Sequence, residues 1–151
     1  MDSLDIAKYI DLTLLKPTAT KDDIISLCDD AVKYGFVSVV VCPFYVPLAA
    51  KLLRSSSVKV GTVIGFPLGF SQSEVKRFEA EKALKNGARE LDMVMNLGLF
   101  RSGDFNGVVE DIAGVVDVAK RFSLEILVKV IIETCYLSDD EKAKACSLVM
   151  H

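Results

Sequence analysis

Two charged side chains fall inside stretches of the chain that otherwise resemble buried β-strands. Asp92 stands within Glu90–Met95, and Lys129 stands within Glu125–Ile132. Strand side chains alternate between two faces, so Asp92 lies opposite an apolar set made of Leu91, Met93 and Met95. Lys129 shares its face with Leu127, Ile131 and Glu133. In a barrel, the apolar set would meet the helices and the charged set would point to the axis.

A buried charge costs several kcal/mol unless it is paired. The least costly arrangement therefore has Asp92 and Lys129 facing each other across adjacent strands. Periodicity alone leaves two interpretations open, a structural ion pair or an active-site pair with perturbed pKa values. A charge can also sit at a strand end in solvent, which suits Glu133.

A thiol closes the first strand-like stretch. Cys42 follows it on the face that also carries Ser38 and Val40. Ligands bind at the carboxyl ends of parallel strands, so a thiol there is a candidate site residue. A small packing residue is the simpler interpretation and stays open, because cysteine is commonly buried without a role. After the second stretch, Gly65–Gly69 lacks the spacing of a nucleotide-binding loop and indicates a tight turn.

The elements that must position these side chains alternate along the chain. Short, nearly continuous apolar runs are typical of parallel strands covered on both faces: Val37–Val41, Val58–Ile64, Glu90–Met95 and Glu125–Ile132. Amphipathic stretches between them predict helices. Strict alternation of the two patterns predicts an α/β fold with a parallel sheet of four strands. Without a linker or low-complexity tract, residues 1–151 are expected to form a single domain.

The predicted helices have recognisable ends. Capping pairs mark three helix starts: Thr20 with Asp23, Ser71 with Glu74, and Ser138 with Glu141. Glycines mark two helix ends: Gly35 and Gly87. Two further helices are predicted: a short opening one over Leu4–Tyr9 and another over Tyr45–Ser55.

Composition and charge exclude several classes of function. The 151 residues carry a net charge of −3, with 51% apolar and 26% charged residues, as in a globular protein. The acidic balance and the lack of a basic cluster argue against nucleic-acid binding. No apolar run reaches the roughly 20 residues that span a bilayer, and the acidic start lacks the order of a signal peptide. A cytoplasmic protein is therefore expected.

The four cysteines do not have the spacing of a metal site. Cys28, Cys42, Cys135 and Cys146 form no CxxC pair, and the single histidine is His151. A zinc site is therefore not expected. Cys28 and Cys146 fall at apolar positions of predicted helices, where buried and reduced cysteines are expected.

Five motifs, in order and at matching intervals, resemble the deoxyribose-phosphate aldolase family. They cover essentially the whole chain, and together they are far more specific than any one of them. The motifs are Ile10–Pro17, Val41–Pro43, Val63–Gly69, Glu90–Asn96 and Val128–Thr134. One departure is Leu12, where many family members carry histidine, but that position is not a core catalytic one.

The resemblance implies a TIM-type (β/α)₈ barrel, with about four of its eight strands in this chain. It also implies a class I aldolase that needs neither metal nor cofactor. Through a lysine Schiff base, such an enzyme reversibly splits 2-deoxy-D-ribose 5-phosphate into D-glyceraldehyde 3-phosphate and acetaldehyde. Asp92 matches the family's proton-transfer aspartate, and Lys129 matches an active-site lysine that supports it. Asp11, Thr13 and Cys42 match positions near the substrate cavity. The expected partners are this small phosphorylated sugar and a second copy of the chain, in a homodimer.

The family's nucleophilic lysine has no counterpart in these residues. It lies on the next strand, in a KTSTG-like segment, with the phosphate-binding loops later still. The last predicted helix reaches His151 without a glycine or polar stop, so residues 1–151 are expected to be the amino-terminal half of a barrel. Three hypotheses stay open: an aldolase truncated here, a Schiff-base enzyme whose nucleophile is Lys129, and a non-catalytic half-barrel that self-associates through open edges.

Overall fold

A computed structural model describes residues 6–150, which fold into alternating strands and helices. Among them the strands are β1 (Asp11–Leu14), β2 (Ser38–Val41), β3 (Lys59–Ile64), β4 (Glu90–Val94) and β5 (Leu127–Ile131). The α-helices are α1 (Lys21–Tyr34), α2 (Val46–Leu52), α3 (Ser73–Lys85), α4 (Leu97–Arg101), α5 (Phe105–Phe122) and α6 (Asp139–Val149). Within this range, no helix combines the length and the apolar character that a membrane crossing requires.

The strands form one sheet in the order β1-β2-β3-β4-β5, which is their order along the chain. β1 pairs with β2 in parallel, with Asp11 opposite Ser38 and Thr13 opposite Val40. β2 pairs with β3 in parallel, with Val40 opposite Gly61. Parallel strands that alternate with helices confirm the predicted α/β fold. The described residues hold five strands rather than the predicted four, because β1 also joins the sheet.

Thr20 and Gly35 cap the two ends of α1, as predicted. Thr20 accepts a hydrogen bond from the Asp23 amide, while the Asp23 side chain accepts one from the Thr20 amide. Gly35 ends the helix with φ 73°, a left-handed conformation that glycine adopts without steric cost. The box of Ser138 and Glu141 likewise starts α6.

One predicted helix start differs in the structure. The predicted box of Ser71 and Glu74 is wrong, because α3 begins at Ser73 and Ser71 therefore lies one residue before the cap position. The predicted helix over Leu4–Tyr9 ends in a 3-10 turn over Ala7–Tyr9. Its first two residues lie outside the described range.

Residue contacts divide the chain into two compact units, Met1–Val63 with Ala83–Glu90 and Ile64–Lys82 with Leu91–His151. The core of the first unit includes side chains from α1, β2 and α2: Ile24, Cys28, Ala31, Val39, Val41 and Val46. The core of the second unit includes side chains from β4 and α5: Leu91, Met93, Met95, Val108, Ile112 and Val115. The single domain expected over residues 1–151 stays a prediction.

Burial matches the prediction for Cys28 in α1 but not for Cys146 in α6. Cys28 is buried as predicted, and burial raises the pKa of its thiol to about 11. The prediction that Cys146 is buried is wrong, because Cys146 is exposed and Ala145 is the buried residue of α6. Ala145, Leu148 and Val149 share one face at spacings of three and four residues and are buried or half-buried, so the inner side of α6 does not include Cys146.

Candidate active site

The carboxylate of Asp92 and the ammonium of Lys129 meet between β4 and β5. Lys129 Nζ lies 3.1 Å from Asp92 Oδ1, and that oxygen is shielded from solvent. The side chains are 16% exposed for Asp92 and 32% exposed for Lys129. Their predicted pairing across adjacent strands is confirmed, whereas their catalytic roles stay predictions.

The main chain around this pair is held on both sides. Met95 donates its N–H to the carbonyl of Ile131 at 3.0 Å, which ties the end of β4 to the end of β5. Immediately afterwards, Asn96 caps the start of α4, and its side chain accepts the N–H of Leu99 at 3.2 Å. On the opposite face of β4, the apolar set is completely buried: Leu91, Met93 and Met95. This anchoring limits how far Asp92 can move from Lys129.

Two kinds of chemistry are open to such a pair, proton transfer by the carboxylate and nucleophilic attack by a deprotonated amine. Opposite charges 3.1 Å apart attract each other, which holds the carboxylate and the amine side by side. The carboxylate can accept and return a proton within hydrogen-bond reach, directly or through one water. A protonated amine has no electron pair with which to attack a carbonyl.

Within residues 6–150, no group of three or more His, Cys, Asp or Glu side chains is placed to hold a metal ion.

The other predicted site residues belong to the first unit. Ser38 donates its hydroxyl to Asp11 Oδ1 at 2.5 Å, across the β1–β2 register. The Thr13 side chain is exposed, and its hydroxyl donates to the carbonyl of Asp11 at 3.0 Å. Cys42 is half-buried and follows β2 in an extended conformation, two residues after Val40. Alternation therefore places Asp11, Thr13 and Cys42 on one face of β1 and β2, and their contact with a substrate stays a prediction.

A side chain bonds the last carbonyl of β2. The hydroxyl of Thr62 donates to the Val41 carbonyl at 2.7 Å, between residues that are opposite in the β2–β3 register. Both residues are completely buried. Because a buried carbonyl needs a donor, Thr62 satisfies this one at the point where β2 leaves the sheet.

A second ion pair, in the second unit, is one that the sequence reasoning misses. Lys76 on α3 is completely buried, and its Nζ lies 2.5 Å from Oδ2 of the buried Asp111 on α5. The same ammonium donates to the carbonyl of Val94 at 3.0 Å. Ser73 donates its hydroxyl to the other Asp111 oxygen at 2.7 Å. These contacts join two helices to the last residue of β4.

Helical periodicity contains a signal for this pair. Lys76 lies four residues before the buried Ala80, and Asp111 lies between the buried Val108 and Ile112. Each charge therefore falls within the inner stripe of its own helix, where a charge needs a partner. The spacing therefore indicates that each charge needs a buried partner, but it does not identify that partner.

The turn after β3 brings main chain close to the end of β4. Gly65 has φ 64° and donates its N–H to Glu79 Oε2 at 2.8 Å. Gly69 has φ 70° and donates its N–H to the Gly65 carbonyl at 2.8 Å. A Cβ at Gly69 would overlap the carbonyl oxygen of Met95 and lie 2.9 Å from Val94 Cγ1. The predicted tight turn is confirmed, and only glycine fits at its end.

Gly69→Ala should therefore lower the free energy of unfolding by at least about 2 kcal/mol, because left-handed strain and overpacking add. Urea denaturation followed by circular dichroism measures the loss. Gly103→Ala is the matched control, since Gly103 has φ 77° but nothing within 4 Å of its Cβ position. It should lose only the strain, about 1–2 kcal/mol. Equal losses in the two variants would contradict the close approach at Gly69.

This chain is similar to known aldolases along almost the whole of its own length. It is 57% identical over 150 residues to the deoxyribose-phosphate aldolase of Thermococcus gammatolerans. It is 55% identical over 150 residues to the deoxyribose-phosphate aldolase of Thermococcus kodakarensis. Each alignment covers 98% of this chain, which spans 66% of the length of either relative.

The fold agrees with this similarity. A tetrameric structure of the deoxyribose phosphate aldolase from Aeropyrum pernix superimposes with a TM-score of 0.84 and 39% sequence identity. That alignment covers 97% of this chain and 58% of the Aeropyrum chain. The five parallel strands are therefore part of a TIM-barrel-like aldolase fold. A family model for DeoC/LacD family aldolases matches residues 6–151. The chain therefore belongs to the DeoC/LacD family of aldolases.

Proposed function

We propose that this chain contributes Asp92 and Lys129 to a class I aldolase that reversibly splits 2-deoxy-D-ribose 5-phosphate into D-glyceraldehyde 3-phosphate and acetaldehyde. The observation that carries the proposal is the contact of 3.1 Å between Lys129 Nζ and Asp92 Oδ1, on adjacent strands of a family aldolase fold. Relatives at 57% and 55% identity carry the name deoxyribose-phosphate aldolase, which supports the choice of substrate.

In this proposal Asp92 moves protons and Lys129 supports it. The Asp92 carboxylate, acting through a water, takes a proton from the substrate hydroxyl and returns one to the departing carbon. The Lys129 ammonium, 3.1 Å away, fixes the direction of that carboxylate. Asp11, Thr13 and Cys42 line the substrate side of β1 and β2. The Schiff base supplies the electron sink for the carbanion.

The proposal assigns the Schiff base to a lysine other than Lys129. Its test uses a chimera of residues 1–151 followed by the remaining carboxyl-terminal part of the Thermococcus gammatolerans relative. Borohydride reduction with 2-deoxyribose 5-phosphate should trap a covalent adduct in the added part of the chimera, located by peptide mass spectrometry. The 151-residue chain alone should give no adduct, because the proposal places the Schiff-base lysine in the added part.

Two results would contradict this assignment. An adduct on Lys129 would make that residue the nucleophile and overturn its supporting role. A folded chimera that forms no adduct and releases no acetaldehyde would favour the non-catalytic half-barrel that self-associates. Assembly into a homodimer stays a prediction for this chain, and the Aeropyrum aldolase is described as tetrameric.

A further inference from the structure

Lys76 and Asp111 form an ion pair that the proposed chemistry does not use. Both side chains are buried, at 0% and 1% exposure, and their charged atoms are 2.5 Å apart. Removing two charges from water has a large cost, and apolar residues of similar volume often serve stability as well or better. The pair is therefore poorly explained by stability alone.

The second contact of the Lys76 ammonium indicates what the charge is for. Its ammonium donates to the Val94 carbonyl at 3.0 Å, and Val94 is the last residue of β4, two residues after Asp92. The next residue, Met95, donates its N–H to Ile131 on β5. Lys76 therefore fixes one side of the strand end, and β5 fixes the other side.

Both members of the pair are themselves held in place. Ser73 donates to Asp111 Oδ1 at 2.7 Å, so the carboxylate cannot rotate freely. The stem of Lys76 packs against Gly65, where a Cβ would lie 2.9 Å from Lys76 Cε. The position of the Lys76 ammonium at the Val94 carbonyl is therefore set by the packing of α3, which carries Lys76, and α5, which carries Asp111.

We propose that Lys76 is a positioning residue for Asp92. Neutralised by Asp111, it holds the Val94 carbonyl and thereby fixes the carboxyl-terminal end of β4, so that the Asp92 carboxylate stays directed at Lys129. The catalytic value of this role rests on the proposed function, whereas the geometry of the Asp92–Lys129 pair can be measured without turnover.

The test uses the 151-residue chain and the double variant Lys76→Met/Asp111→Leu. This variant removes both charges together, so it leaves no lone buried charge and adds no net charge, but it takes the donor away from Val94. In chain labelled with ¹⁵N-lysine, the ammonium protons of Lys129 should exchange with water severalfold faster than in the parent chain. The Met95 amide should lose protection from hydrogen exchange, while the Val39 amide in β2 should keep it.

The matched control is Lys142→Met/Asp139→Leu, which makes the same substitutions in an exposed pair 2.8 Å apart. It should leave the Lys129 ammonium unchanged. A folded Lys76→Met/Asp111→Leu variant with parental exchange at Lys129 overturns the proposal.

A second variant keeps the proposal testable if the double variant does not fold. Ser73→Ala loosens Asp111 without removing a charge, and should speed exchange at Lys129 to a smaller extent. Parental exchange at Lys129 in folded Ser73→Ala then overturns the proposal. Because this measurement needs no catalysis, an inactive chimera would refute the proposed function and leave this result unaffected.

Discussion

Asp92→Asn should lower turnover of the chimera described above by roughly 10²- to 10⁴-fold, the usual contribution of a general acid–base group. Asparagine keeps the size of the side chain but cannot take up and return a proton at this position. The rate is measured as acetaldehyde released from 2-deoxyribose 5-phosphate. Borohydride should still trap the Schiff base, because the nucleophile is a different residue.

Asp139→Asn is the matched control for this prediction. Asp139 bears an almost fully exposed carboxylate that also lies near a lysine, Lys142. Its loss should leave turnover unchanged. If Asp92→Asn kept the parental rate in a chimera that forms the Schiff base, Asp92 would not be the proton-transfer group.

Lys76→Met should lower the free energy of unfolding by about 3–5 kcal/mol, because it leaves the carboxylate of Asp111 buried without its cation. Methionine fills a similar volume, so the loss reports the uncompensated charge rather than a cavity. Urea denaturation followed by circular dichroism measures the effect. The double variant Lys76→Met/Asp111→Leu should recover most of the loss, since no lone charge then stays inside.

An exposed lysine provides the comparison. Lys142→Met removes one partner of the surface pair with Asp139, and surface pairs contribute only about 0–1 kcal/mol. A Lys76→Met variant as stable as Lys142→Met would mean that Asp111 is readily neutralised or solvated. The proposed anchoring of Val94 by a buried charged pair would then lose its basis.

The strand–helix alternation made most of the fold predictable. β2 to β5 follow the apolar runs closely, and two of the three predicted capping boxes are present. β1 was not predicted because it has only four residues and two of them, Asp11 and Thr13, are polar. Its side chains are half-buried or exposed, so it lacks the continuous apolar pattern of a covered strand.

The contact between Asp92 and Lys129 was the predictable part of the candidate site, because a charge buried in a strand is costly without an opposite charge beside it. Asp92 and Lys129 stand out because charges are rare in strands, and the need for a partner predicts their contact. Lys76 and Asp111 are harder to recognise, since charges are common on helices and usually face solvent. Their meeting depends on the packing of α3 and α5, whose residues are 35 positions apart. Spacing within one helix does not contain that information.

Two strand ends of this fold, those of β2 and β4, are closed by side chains rather than by the loops that follow them. Thr62 bonds the last carbonyl of β2, and Lys76 bonds the last carbonyl of β4. A segment grafted after either strand therefore need not bring a donor for that carbonyl. The segments that follow β2 and β4 can therefore be exchanged between homologues while the last carbonyl of each strand keeps its donor. These two junctions are suitable crossover points for recombination.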